Sequence, residues 1–174
     1  MKKIICIVGS LRKDSFNRTI FNEYKDLNKD KFEFTEGIIE NMPFYNQDIE
    51  DTPESVIKLA DQIIDADGIV FFSPEYNYSV PAVLKNALDW VSRDERNPFE
   101  NKAATIVGAS PSAIGTARMQ YHLRQIAVFL NLRMLNKPEV MVGSAHEKIK
   151  NNKLKDESTR KFLVKHGDAF NKFI

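Results

Sequence analysis

Between Gly9 and Arg18 the chain reads GSLRKDSFNR. Ser10, Ser15 and Asn17 offer neutral hydrogen-bond donors and Arg12 offers a planar charged fork. The apolar spacing that follows opens a helix whose first amides have no acceptor of their own. Such a set suits the dianion of a phosphate monoester. It is not a Walker loop, which needs a GK[ST] ending, nor a GxGxxG fingerprint, because Gly9 is its only glycine. The alternative that this stretch leaves open is a serine-rich helix cap beside a solvated Arg and Lys. Lys13 and Asp14 are expected to face water.

A second stretch, Ser73-Pro74-Glu75-Tyr76-Asn77-Tyr78, follows the unbroken apolar run Ile69 to Phe72. The proline cannot donate to a sheet ladder, and two aromatic rings then alternate with polar groups, so the strand ends in a loop that can hold a flat aromatic ligand. The bland alternative is that Tyr76 and Tyr78 cover the end of a core. A third stretch, Ser110 to Thr116, follows the apolar run Ala103 to Ala109. Its small residues, Gly115 among them, let a ring edge approach the backbone.

Each of these stretches comes after an apolar run and before a helix-period pattern, which dictates what positions them. Residues 4–8 read as the first strand, with a helix then running to about Lys29. A half-exposed edge strand is expected near Phe32 to Thr35. After a long loop from Glu40 to Pro53 comes a helix with Val56, Leu59, Ala60, Ile63 and Ile64 as its buried stripe. Ser79 or Val80 is the expected cap of the next helix, with Pro81 in its first turn and Val80, Val83, Leu84, Ala87, Leu88 and Val91 inward. Trp90 fits core or interface equally.

A helix from about Thr116 to Asn131 is expected to bury Met119, His122, Leu123, Ile126, Ala127 and Leu130, and to turn Tyr121, Arg124 and Gln125 elsewhere. A last strand spans Arg133 to Val142, broken at Pro138. A final helix from about Asn152 to Phe173 packs through Leu154, Phe162, Leu163 and Phe170. Strands and helices alternate throughout. Right-handed crossovers then give an α/β fold, a flavodoxin-like doubly wound sheet of five parallel strands in the order 2-1-3-4-5 with helices on both faces. The carboxyl ends of such strands form the ligand crevice, which is where all three stretches fall.

At 174 residues the chain is most simply one domain, 1–174. Its net charge of +1 exerts no pull on nucleic acid or anionic membrane and is unlike the acidic surface of a dedicated electron carrier. Charge is uneven, with nine acidic side chains against Lys58 alone over residues 36–67. Cys6 is the only cysteine, which permits no internal disulfide or cysteine cage and suits a reducing cytoplasm. No signal peptide and no membrane span is expected. His122, His146 and His166 share no ligand spacing, so no metal is expected. Nor is there a Gly-x-Ser-x-Gly elbow. A phosphatase with a phosphate loop after its first strand would need a nucleophilic cysteine in that loop, and Cys6 precedes it.

Residues 73–93, SPEYNYSVPAVLKNALDWVSR, resemble the signature of the NAD(P)H-dependent FMN reductase family, in particular small quinone and chromate reductases and azoreductases. GSLRKDSFNR is similar to that family's phosphate loop, and MQYHLRQIAVFLN to one of its helices. The resemblance implies FMN, with Ser10, Arg12, Ser15 and Asn17 on the phosphate and Pro74, Glu75, Tyr76, Asn77, Tyr78, Ser110 and Gly115 along the ring. Backbone amides of Glu75, Tyr76, Asn77 and Gly115 would stabilise charge on the reduced ring. It further implies NADPH or NADH as co-substrate, two-electron ping-pong transfer to a quinone, azo, nitro, chromate or flavin acceptor, no catalytic side chain, and a homodimer that can pair into a tetramer. The competing class is an FMN-binding electron carrier or regulatory flavoprotein with little NAD(P)H turnover.

Overall fold

The computed structural model describes all 174 residues. The parallel sheet is built from β1 (Lys2–Val8), β2 (Phe32–Gly37), β3 (Gly68–Phe72) and β4 (Ala103–Ala109) in the order β2-β1-β3-β4. The fifth position is shared by two short strands, β5 (Arg133–Met134) and β6 (Val140–Val142), both parallel to β4. The expected order 2-1-3-4-5 therefore stands, with the last strand split around Pro138. All seven residues of β4 and all five of β3 are buried, as strands covered on both faces must be.

Side-chain alternation sorts the sheet into two cores. Ile5, Ile7, Ile69, Phe71, Ala104 and Ile106 meet α2 (Glu54–Asp65), α3 (Ala82–Val91) and α4 (Ala117–Phe129) on one face. Ile4, Cys6, Val8, Val70, Phe72 and Val107 meet α1 (Phe16–Asn28) and the last helix on the other. Each fully buried Ile or Phe contributes roughly 1.5–3 kcal/mol. Register then fixes the rim. Val8 pairs with Phe72, Phe72 with Val107 and Ala109 with Val142, so the loops after β1, β3 and β4 leave the sheet along one edge.

Several expectations are corrected. Pro81 is the cap residue of α3, which starts at Ala82, and no side chain caps it. Ile64 is 42% exposed, Phe162 37% exposed, and His122 lies on the exposed side of α4, where buried Gln120 takes an inward position. The reason is helical phase: the face of α4 that meets the sheet carries Met119, Leu123 and Ala127.

The final helix is shorter than its apolar pattern suggested. A one-turn α5 (Ala145–Lys148) and a hairpin of β7 (Ile149–Lys150) and β8 (Lys153–Leu154) precede α6 (Glu157–Phe173). Asp156 starts α6 by accepting the amide of Thr159 at 2.8 Å, and Leu154 is buried from the hairpin. Trp90 proves to be core. Its indole N–H donates to the carbonyl of Pro43 at 2.8 Å while Asn86 bonds Pro43 and Tyr45, which pins the 40–53 loop on α3.

Candidate active site

The first loop runs from Gly9 to the cap of α1. The Ser15 side chain accepts the amide of Arg18, which leaves its hydroxyl hydrogen free to donate outward. No acidic residue lies in the first turn of α1, and the Arg12 guanidinium makes no ion pair, lying 5.9 Å from the Phe16 ring. A bare cation beside free first-turn amides is a site with its positive charge left uncompensated, which fits a phosphate dianion. Lys13 and Asp14 are exposed, and Asp14 accepts from Asn152 at 3.1 Å.

The second loop closes as a tight hairpin. Tyr76 N–H donates to the Ser79 carbonyl at 3.1 Å and Ser79 N–H returns the bond at 2.9 Å. The two central residues, Asn77 and Tyr78, have φ of 50° and 66°. That is the conformation of a type I′ turn, which asparagine tolerates and tyrosine rarely adopts. The strain is held from outside. The Arg118 guanidinium lies 3.8 Å from the Tyr78 ring centroid, and Glu75 accepts the Met119 amide at 3.0 Å and an Arg118 N–H at 3.2 Å. Ser79 shares a hydrogen bond of 2.9 Å with His122 Nδ1.

In the third loop the Ser110 hydroxyl donates to the Gly115 carbonyl at 2.5 Å and accepts from Ser112 N–H. Gly115 sits at φ +64° against the Met141 backbone, a place only glycine fills without strain.

The three loops are tied pairwise. Ser10 Oγ and Tyr76 OH are 3.3 Å apart, joining the first to the second. Asn17, 2% exposed, bonds both backbone groups of Ala109 at 2.9 Å, joining the first to the third. Glu75 joins the second to α4, which the third leads into.

The profile described as NADPH-dependent FMN reductase matches residues 2–147, and so spans all three loops. The chain belongs to the NADPH-dependent FMN reductase family. It is 41% identical over 175 residues to the NAD(P)H-dependent FMN reductase of Pseudomonas aeruginosa, covering 99% of this chain and 95% of that one. To the quinone reductase of Escherichia coli K12 it is 40% identical over 178 residues, again covering 99% and 95%. The solved structure of FerB, a flavoenzyme NAD(P)H:(acceptor) oxidoreductase from Paracoccus denitrificans, superposes with a TM-score of 0.91 at 36% identity and covers 99% of this chain and 96% of its own.

With the family established, the roles expected of individual residues divide. Ser10, Arg12 and Ser15 have groups facing the loop. The Asn17 side chain spends its oxygen and one Nδ2–H on Ala109, so its second Nδ2–H and its backbone N–H are left for an anion. The amides of Glu75 and Asn77 have no acceptor in the chain, whereas those of Tyr76 and Gly115 are spent on Ser79 and Ser112. Two of the four amides expected along a ring are thus free. Tyr76 and Tyr78 are 48% and 68% exposed, which sets aside the idea that they cap the core. Arg118 and His122, which brace the second loop, were missed. Their side chains were not expected to reach a loop forty residues earlier, and only i, i+4 spacing on α4 hinted that they act together.

Proposed function

We propose that this chain is a single flavodoxin-like domain, 1–174, that binds FMN and passes two electrons from NADPH or NADH to a quinone or similar small electrophile. Family membership carries the reading, and the site's own chemistry agrees with it. Ser10, Arg12, Ser15 and the first amides of α1 would hold the phosphate, and the Asn17 side chain would hold the loop. Pro74, Glu75, Tyr76, Asn77 and Tyr78 would lie along the ring, with Ser110 and Gly115 shaping the opposite wall. FMN, when bound, supplies hydride acceptance and donation. The protein's part is to place donors where charge develops, and the amides of Glu75 and Asn77, which have no acceptor in the chain, would do this without rearrangement. Glu75 keeps its carboxylate turned away on Met119 and Arg118, so no acid opposes that charge from this residue.

One cleft serves donor and acceptor in turn, which gives ping-pong kinetics with mutual competition. Purified holoprotein mixed anaerobically with NADPH should bleach within seconds and regain its yellow colour on adding a quinone. Flavin absorbance unchanged by either NADPH or NADH would leave the electron carrier as the reading. No helix is long and apolar enough to cross a membrane. The buried free thiol of Cys6 is at home in a reducing cytoplasm.

A homodimer, able to pair into a tetramer, is supported by the outward face of α4. Tyr121, Val128 and Phe129 are 61%, 79% and 74% exposed at i, i+7 and i+8. Val128→Glu should lower the mass measured by light scattering to that of one chain. An unchanged mass would place any interface elsewhere.

A further inference from the structure

On the β2 side of the phosphate loop, away from the two ring loops, a cleft of about 180 Å³ opens between residues 8–13 and 36–40. The family reading uses only its Ser10 and Arg12 corner and gives the rest no work. Its basic wall is Arg12, Lys13 and Arg18 and its acidic wall Glu36 and Glu40, while exposed Leu11 and Ile38 form an apolar lip. Arg18 is pre-positioned, its guanidinium 5.5 Å from the Phe21 ring and 2.6 Å from Glu36 Oε1. The other Glu36 oxygen has no donor in the chain, and neither Lys13 nor Glu40 is paired.

Three chemistries therefore meet within one cleft: cations for a phosphate, a fixed carboxylate for neutral hydroxyls, and a flat apolar edge. In dinucleotide-binding Rossmann folds a carboxylate at the end of the second strand reads a ribose beside a phosphate turn, and Glu36 stands in the comparable place at the end of β2 here. Half-open and of about 180 Å³, the cleft can seat a sugar and a phosphate while a base rests on the lip.

We propose that this cleft is an adenylate subsite: phosphate on Lys13, with Arg12 left to the flavin phosphate, ribose hydroxyls on Glu36, and purine against Leu11 and Ile38. The inference rests on the redox reading above, because the adenylate would belong either to the nicotinamide dinucleotide co-substrate or to FAD bound in place of FMN. The strand order agrees with both sources. A ligand gripped at the phosphate loop has its ring on the β3 and β4 side and the cleft on the other.

The test is calorimetric titration of FMN-loaded protein with ADP, in wild type, in Arg18→Ala, and in Ile38→Glu, which puts a negative charge on the lip. Wild type should bind ADP, and each variant should weaken it by about tenfold or more. No binding, or binding that neither variant changes, overturns the proposal even if the enzyme turns over normally. Loss of turnover on every donor would instead sink the redox reading while leaving the titration to be read on its own.

Two further measurements separate the sources. If the adenylate is the co-substrate's, KM for NAD(P)H rises in both variants while that for a dihydronicotinamide without adenylate does not. If it is FAD's, the apoprotein's affinity for FAD falls relative to FMN. Should ADP bind and neither quantity move, the site does not serve this reaction and the proposal fails.

Discussion

Polar groups occur in two parts of this molecule under opposite rules. Beneath the sheet, His166 is fully buried between α6 and β4, and both ring nitrogens are used, one with Thr105 Oγ1 at 2.8 Å and one with Tyr24 OH at 3.1 Å. At the rim, Arg12 has no counter-ion and the amides of Glu75 and Asn77 have no acceptor. The interior network is closed and the rim network is open. A closed network contributes to stability and specificity of packing, whereas the open groups, solvent-accessible at the rim and hydrated until a ligand completes them, add little to it. Substitutions should divide accordingly.

The largest effect is expected in the closed network. His166→Ala leaves a cavity and strands two buried hydroxyls, so denaturant unfolding should show a loss of about 3–5 kcal/mol. FMN affinity of the folded fraction should hardly change. A large change in affinity with little loss of stability would erase the distinction between the two regions.

The same residue gives a pH dependence. Burial lowers the His166 pKa from an ordinary 6.5 to about 4. Between those values the unfolded chain binds a proton that the folded chain refuses, so stability is full above pH 6.5 and falls as pH drops toward 4. The loss amounts to about 3 kcal/mol, and His166→Gln should flatten it. A slope in that window that survives His166→Gln would assign it to other groups.

Arg12→Ala belongs to the open network. It should weaken FMN by roughly 1.5–3 kcal/mol and leave the melting temperature of the apoprotein where it was. Riboflavin, which has no phosphate, should bind wild type and variant alike. Equal losses for both flavins would remove Arg12 from the phosphate. The smallest effect is that of Lys13→Ala: an exposed lysine without a partner should alter FMN affinity by less than about 0.5 kcal/mol. A loss as large as that of Arg12→Ala would mean both cations face the same anion.

What the sequence made legible follows the same division. Apolar runs ending in Gly9, Pro74 and Ser110 located the rim, because strand burial and strand termination are both local properties of the chain. What stayed hidden depends on contacts between distant residues. Nothing near Asn17 says that its amide turns to Ala109, ninety-two positions away. Tyr78 at positive φ is no recognised turn residue, and only the Arg118 stack and the Glu75 brace explain how it is held.

His122 was misplaced by one helical step, a phase error that residues with mixed polarity invite. Other misses were readable. Asn151 and Asn152, both at positive φ, are a turn pair between β7 and β8, and Asp156 three residues before Thr159 is a helix start.

The central claim is that three loops far apart in the chain form one grip on FMN, and a crystal structure of the FMN-loaded protein tests it most directly. The phosphate should lie between Ser10, Arg12, Ser15 and the first turn of α1, with the isoalloxazine edge within hydrogen-bond reach of the Glu75 and Asn77 amides. A flavin bound elsewhere, or one whose phosphate and ring engage only one of the three loops, would contradict it.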